Sequence, residues 1–142
     1  MDIILAPDVY VNASVALGSP PEQVVRRVLG KHKGESKTTE WILARVRQML
    51  RAIPAFKGDA VDEQVNLIKG LVQVVPTPQE IGADHWEEAL VAAAKAAGAK
   101  RVVTDHPDLL QMESSDGIEF MSTEAWMIEV TTPPPAPPGR AG

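Results

Sequence analysis

The 142-residue chain contains no cysteine. Disulfide staples and thiolate metal sites are therefore excluded, and the absence fits a reducing compartment. No apolar run approaches the roughly 20 residues that a membrane span needs. The opening MDIILAPD is too short and too acidic to read as a signal peptide, so the expected location is cytoplasmic, away from membranes. One stretch is poor in acid. Between Arg26 and Lys57 nine cations face only Glu35 and Glu40, a local charge of +7, so the rest of the chain carries -12 of the net -5. Such asymmetry implies a basic face and an acidic face on one molecule. A basic face can steer a polyanion although the whole protein is acidic; it can equally be a solvated helical surface.

What is present suits one domain with a real core. Hydrophobic residues make up 44% and charged residues 23%, ordinary values for a globular chain. Ile3, Ile4 and Leu5 form a short buried-strand signature that ends at Pro7 and Asp8. VYVNASVALG begins a helix. A second starts at Ser19 and stops at Gly30. KHKGESK reads as a polar connector. Ile42, Leu43, Val46, Met49, Leu50 and Ile53 have helical spacing. DAVDEQVNLIKG predicts a helix ending at Gly70, and LVQVVPTP a strand.

The clearest helix is ADHWEEALVAAAKAAGAK. Asp84 and Glu87 suggest a capping box, alanine carries the middle, and Gly98 ends it. RVVTD is a strand with its turn, PDLLQM a short helical turn, GIEFMS a strand and TEAWMIEV a last helix. TTPPPAPPGRAG has five prolines and no apolar period. The chain thus divides into a domain over 1–130 and a disordered or polyproline-like tail over 131–142. Strands alternating with helices predict an α/β domain with a parallel sheet. In such sheets functional groups gather past the carboxyl ends of the strands. Asp8 follows the first strand; Asp105, His106 and Asp108 follow RVVT; Glu88 lies in the first turn of the helix feeding that strand.

In order and spacing these pieces resemble the PIN domain family, in the branch of toxin components from bacterial toxin–antitoxin pairs. The resemblance covers Asp2 to Val130. "IILAPDVYVNASVALGSPPEQVV" is similar to the family's opening strand, first acid (Asp8) and Ser-Pro-Pro helix start. "EEALVAAAKAAGAKRVVT" is similar to its acid-led helix, glycine and Val-Thr strand end, with the acid at Glu88. "TDHPDLL" is similar to a Thr-Gly-Asp-x-Asp-Leu-Leu turn. The resemblance implies a three-layer fold, a central, mainly parallel sheet flanked by helices. It also implies metal-dependent endoribonuclease activity. Asp8, Glu88 and Asp105 would hold Mg²⁺ or Mn²⁺, His106 would serve as ligand or general base, and Arg26, Arg27, Arg45 and Arg47 would receive the RNA. Implied partners are RNA, an antitoxin-like protein and a second copy of the chain. Hard divalent cations prefer carboxylate oxygen, and such an ion activates a bound water.

Two acidic positions of the pattern are changed. Arg45 stands where the family has its second acid, and Glu40, about 140° round the helix, is a poor substitute. In the turn, the family's first aspartate falls on His106 and its glycine on Asp105. A four-carboxylate pocket holds about -4, whereas Asp8, Glu88, Arg45 and a neutral His106 sum to about -1. Arg45 can instead fork onto Asp8 or Glu88 in the cation's place, making a non-catalytic module that binds RNA or a protein partner. Other residues carry plainer expectations. Asp84 is an N-cap, Asp108 a cap for the PDLL turn, and His32 and His85 are solvated. Trp41, Trp86 and Trp126 are core or interface residues.

Overall fold

A computed structural model describes residues 2–31, 34–77 and 80–133. The elements run β1 (Ile3–Leu5), α1 (Pro7–Val15), α2 (Pro20–Lys31), β2 (Lys37–Thr38), α3 (Glu40–Arg51), α4 (Ala60–Lys69), β3 (Gln73–Val74), α5 (Trp86–Ala97), β4 (Arg101–Val103), α6 (Pro107–Met112), β5 (Ser114–Ser115), β6 (Ile118–Met121) and α7 (Thr123–Thr131). The main sheet has the order β1-β4-β6-β5. β1, β4 and β6 are parallel, with Leu5 beside Val103 and Val103 beside Met121. β5 closes one edge antiparallel to β6. β2 and β3 form a separate parallel pair.

All three residues of β1 are buried. Successive strand side chains point to opposite faces, so the sheet is covered on both sides. This is the α/β fold that the resemblance implies, mixed helices on a mainly parallel central sheet. α5 packs on β1 and β4 and α6 on β6, while α1 packs with α2 and α3, and α2 with α7.

Four of the helices start for a local reason. Pro7 opens α1 and Pro107 opens α6, where a missing N–H costs nothing. Thr39 caps α3 by accepting from the Ile42 N–H at 3.3 Å, and Ser122 caps α7 by accepting from the Ala125 N–H at 3.1 Å. α5 buries Ala89, Leu90, Ala93, Ala94 and Ala97, a stripe at i, i+1, i+4, i+5 and i+8. Small side chains on that stripe bring the helix close to the strands. Gly98 then ends it in the left-handed region, at φ 70°.

Several local expectations are corrected. The Asp84–Glu87 capping box does not form: His85 is the N-cap residue of α5, without a side-chain bond, and Glu87 accepts from the Ser115 hydroxyl at 2.7 Å instead. Asp108 does not cap the PDLL turn; its N–H donates to His106 Nδ1 at 3.3 Å, so His106 is the cap. The polar connector ends in β2, and the strand expected over LVQVVPTP shrinks to two residues. β5 was unforeseen, since Ser114 and Ser115 carry no apolar alternation. His32 lies outside the described residues, as does most of the proline-rich tail.

At Gly98 an added Cβ would meet no atom within 4 Å, so the cost of Gly98→Ala is purely conformational. Urea unfolding should show a loss of about 1 kcal/mol.

Candidate functional site

Parallel pairing puts the carboxyl ends of β1, β4 and β6 at one edge of the sheet, and α1, α6 and α7 begin there. α5 reaches the same place from the other direction. The short Gly98–Lys100 connection makes it run antiparallel to β4, so its first turn lies beside the strand's end.

Asp8 stands at the centre of this edge, 8% exposed. One carboxylate oxygen accepts from the Thr104 hydroxyl at 2.9 Å and the other from the Asp105 N–H at 2.8 Å. Thr104 Oγ1 in turn accepts from the His106 N–H at 3.1 Å. Asp105 accepts at both oxygens from Thr123, from the N–H at 2.9 Å and from the hydroxyl at 2.7 Å. A chain of hydrogen bonds therefore runs from α1 through the β4 turn to α7. Burial pushes the Asp8 carboxyl up from its ordinary pKa. Its two hydrogen bonds pull the other way, and the neighbouring Asp105 charge adds to the rise.

Glu88 is not at this site. Trp86 faces the β4 turn, and two residues further along a helix is about 200° of rotation. The Glu88 side chain is 60% exposed and pairs with His85 Nδ1 at 3.4 Å. That contact also corrects the expectation that His85 has no partner. Glu88 lines a separate surface pocket with Glu87, Lys95 and Asp116, where Lys95 and Asp116 form an ion pair.

The expected ion pair between Arg45 and Asp8 or Glu88 is absent. Arg45 lies one helical turn from Trp41, with its guanidinium carbon 5.5 Å from the ring centroid. Its Nε is buried and donates to nothing among the described residues. The other cations assigned to RNA are dispersed. Arg26 pairs with Glu22 and holds that carboxyl below its usual range. Arg27 donates to the Val130 carbonyl at 3.4 Å, and Arg47 pairs with Asp62 at 3.2 Å. Arg45 and Arg47 are about 200° apart on α3 and cannot share a face.

The metal that the resemblance implies does not fit these residues. Asp8 and Asp105 are neighbours, but their four oxygens already accept from protein donors. Among the described residues no three histidine, aspartate or glutamate side chains gather into a group that could hold an ion.

Beside the acids lie two tryptophans that pack against the hydrophobic core, as expected from the sequence. The Trp41 and Trp86 rings meet edge to face, 5.8 Å between centroids, and Trp86 meets His106 at 5.3 Å with a 48° tilt. The available signal was position: both indoles open helices rather than sitting within them. Thr104 and Thr123 were passed over, although each ends a strand or opens a helix, where hydroxyls serve as local partners. Trp126 is buried, as expected for a core residue.

No known protein family matches the chain in sequence, and no curated protein does. In structure it is similar to a chain of the VapBC2 complex of Rickettsia felis, solved bound to a DNA fragment from its promoter. The superposition has a TM-score of 0.60 at 11% identity, covering 86% of this chain and 98% of that one. At that identity the likeness defines the fold alone, an α/β arrangement of helices on a mainly parallel sheet.

Asp8→Ala would strand the Thr104 hydroxyl and the Asp105 N–H, at a cost of about 2–4 kcal/mol in chemical unfolding. The titration has a definite sign. The folded-state pKa of Asp8 is raised, so its contribution is fully present below the unfolded value of 3.8 and is lost as pH rises through the folded value. The stability of the wild type relative to Asp8→Asn should therefore fall from pH 3 to pH 7. A rise over that window would mean that hydrogen bonding outweighs burial at this carboxylate.

Proposed function

We propose that the chain is a PIN-fold module of the toxin–antitoxin kind that works in the cytoplasm by binding RNA and a protein partner, without a metal-dependent cleavage step. The observation that carries this reading is the internal use of the acids. Both oxygens of Asp8 and both of Asp105 accept from the protein's own donors, and Glu88 is turned away toward His85. A cation would have to displace those donors or share their oxygens, and would find no third acid in place.

Support for the nucleic-acid part comes from charge. Among the described residues Arg45 has no carboxylate partner, and it belongs to the segment of +7. Support for the partner comes from an apolar groove of about 440 Å³ between α1, α2 and α4, lined by Tyr10, Val25, Leu29, Leu67 and Ile68. Leu67 on its rim is 59% exposed, and an antitoxin-like protein would cover it. Among the described residues no helix is long and apolar enough to cross a membrane.

A second reading keeps the enzyme. Asp8 and Asp105 lie together at the strand ends, where a PIN-type endoribonuclease would hold Mg²⁺ or Mn²⁺. Glu88 would have to leave His85 to complete the set, with His106 as base. Calorimetric titration of Mn²⁺ into wild type and Asp8→Asn, with a ribonuclease assay on the same samples, separates the two. We expect no saturable heat up to millimolar ion and no cleavage. Saturable binding that Asp8→Asn abolishes, together with cleavage, would establish the enzyme instead.

A further inference from the structure

The ring cluster is unexplained by either reading. Trp41, Trp86 and His106 come from three different elements, α3, α5 and the β4–α6 turn, and they touch in series. Trp41 and Trp86 pack against the hydrophobic core, yet like His106 they stay partly exposed, whereas Trp126 is 4% exposed. The Trp41 indole N–H donates to the Gly82 carbonyl at 3.2 Å, which pins the plane of that ring. Arg45 sits at the Trp41 end, its guanidinium carbon 5.5 Å from the ring centroid.

We propose that Trp41, Trp86 and His106, with Arg45 at one end, form a stacking platform for the unpaired bases of a single-stranded nucleic acid. This rests on the nucleic-acid reading above and names the form of strand recognised. Every base has a π-face, so aromatic rings held at a surface take successive bases with little regard to sequence. In a duplex those faces are covered by neighbouring bases, so the platform selects single strands. The guanidinium of Arg45 supplies what a phosphate needs beside a stacked base. Buried Nε aside, its remaining donors bind no carboxylate among the described residues.

A proline-rich peptide is the other ligand that partly exposed tryptophans can take. It carries no charge to meet the Arg45 guanidinium beside the Trp41 ring, so the polyanion is favoured. The platform also explains the replaced acid. A carboxylate at position 45 would repel a phosphate from the ring cluster; arginine attracts it.

Trp126 is buried, so quenching of tryptophan emission by a stacked base reports on Trp41 and Trp86. The experiment titrates the full-length chain with an oligoadenylate of about eight nucleotides and with a duplex of the same length. We expect quenching with the single strand and at least about tenfold weaker binding of the duplex. Trp86→Leu, which keeps an apolar filler, should weaken the single strand about 5- to 100-fold. Trp86→Phe, which keeps a ring, should stay within about threefold. Binding without quenching, and unaffected by Trp86→Leu, would overturn the platform and leave the nucleic-acid reading standing. No binding of either nucleic acid would overturn both. A proline-rich peptide that quenches these tryptophans where the oligonucleotide does not would replace the nucleic acid as ligand.

Discussion

The carboxylate of Asp8 is the interaction on which this edge of the molecule depends. It lies in the first turn of α1, yet both its bonds reach the segment after β4. Thr104 and Asp105 are thereby fixed, and Asp105 holds the start of α7 through Thr123. Three consecutive strand-to-helix junctions are tied by two carboxylates. Burial opposes ionisation of Asp8, and the two donors offset part of that cost. Removing either donor would leave a buried charge with less compensation, so the network holds as a unit.

The same bonds decide what the acids are free to do. A carboxylate has about four lone-pair sites, and at Asp8 and Asp105 one on each oxygen is taken by the protein's own donors. At this site the protein's own N–H and hydroxyl groups occupy the positions nearest the strand ends. Arg45 lies not at the acids but along Trp41, where the ring face attracts a cation.

Placement of the rings follows from the direction of the helices. α5 runs antiparallel to β4, so the residue that opens it must lie at the strand's carboxyl end. There Trp86 meets His106, the residue that caps α6. The acids that follow Trp86 point to solvent by helical rotation alone. Two neighbouring residues of one turn therefore serve two surfaces: Trp86 the strand-end edge, and Glu88 the outer face with His85.

Much of the fold was legible in the sequence. Alanine richness and Gly98 set α5, the proline at 107 set the start of α6, and short apolar runs set β1 and β4. These are local effects, with the residues that cause an element lying within it. The α/β class and the importance of Asp8 at the first strand's end were legible for the same reason. The two-residue strands were not, because pairing with a distant segment creates them and neither carries a pattern of its own. Nor was the partner of any polar group. Asp8 finds Thr104 and Asp105 almost a hundred residues away, Asp105 finds Thr123, and Arg45 finds a ring rather than an acid. The sequence by itself determined which residues form the helices and the longer strands, and which acids follow those strands. Only the tertiary structure decided how those acids spend their hydrogen bonds and which rings meet, since both depend on the direction in which elements far apart in the chain are brought together.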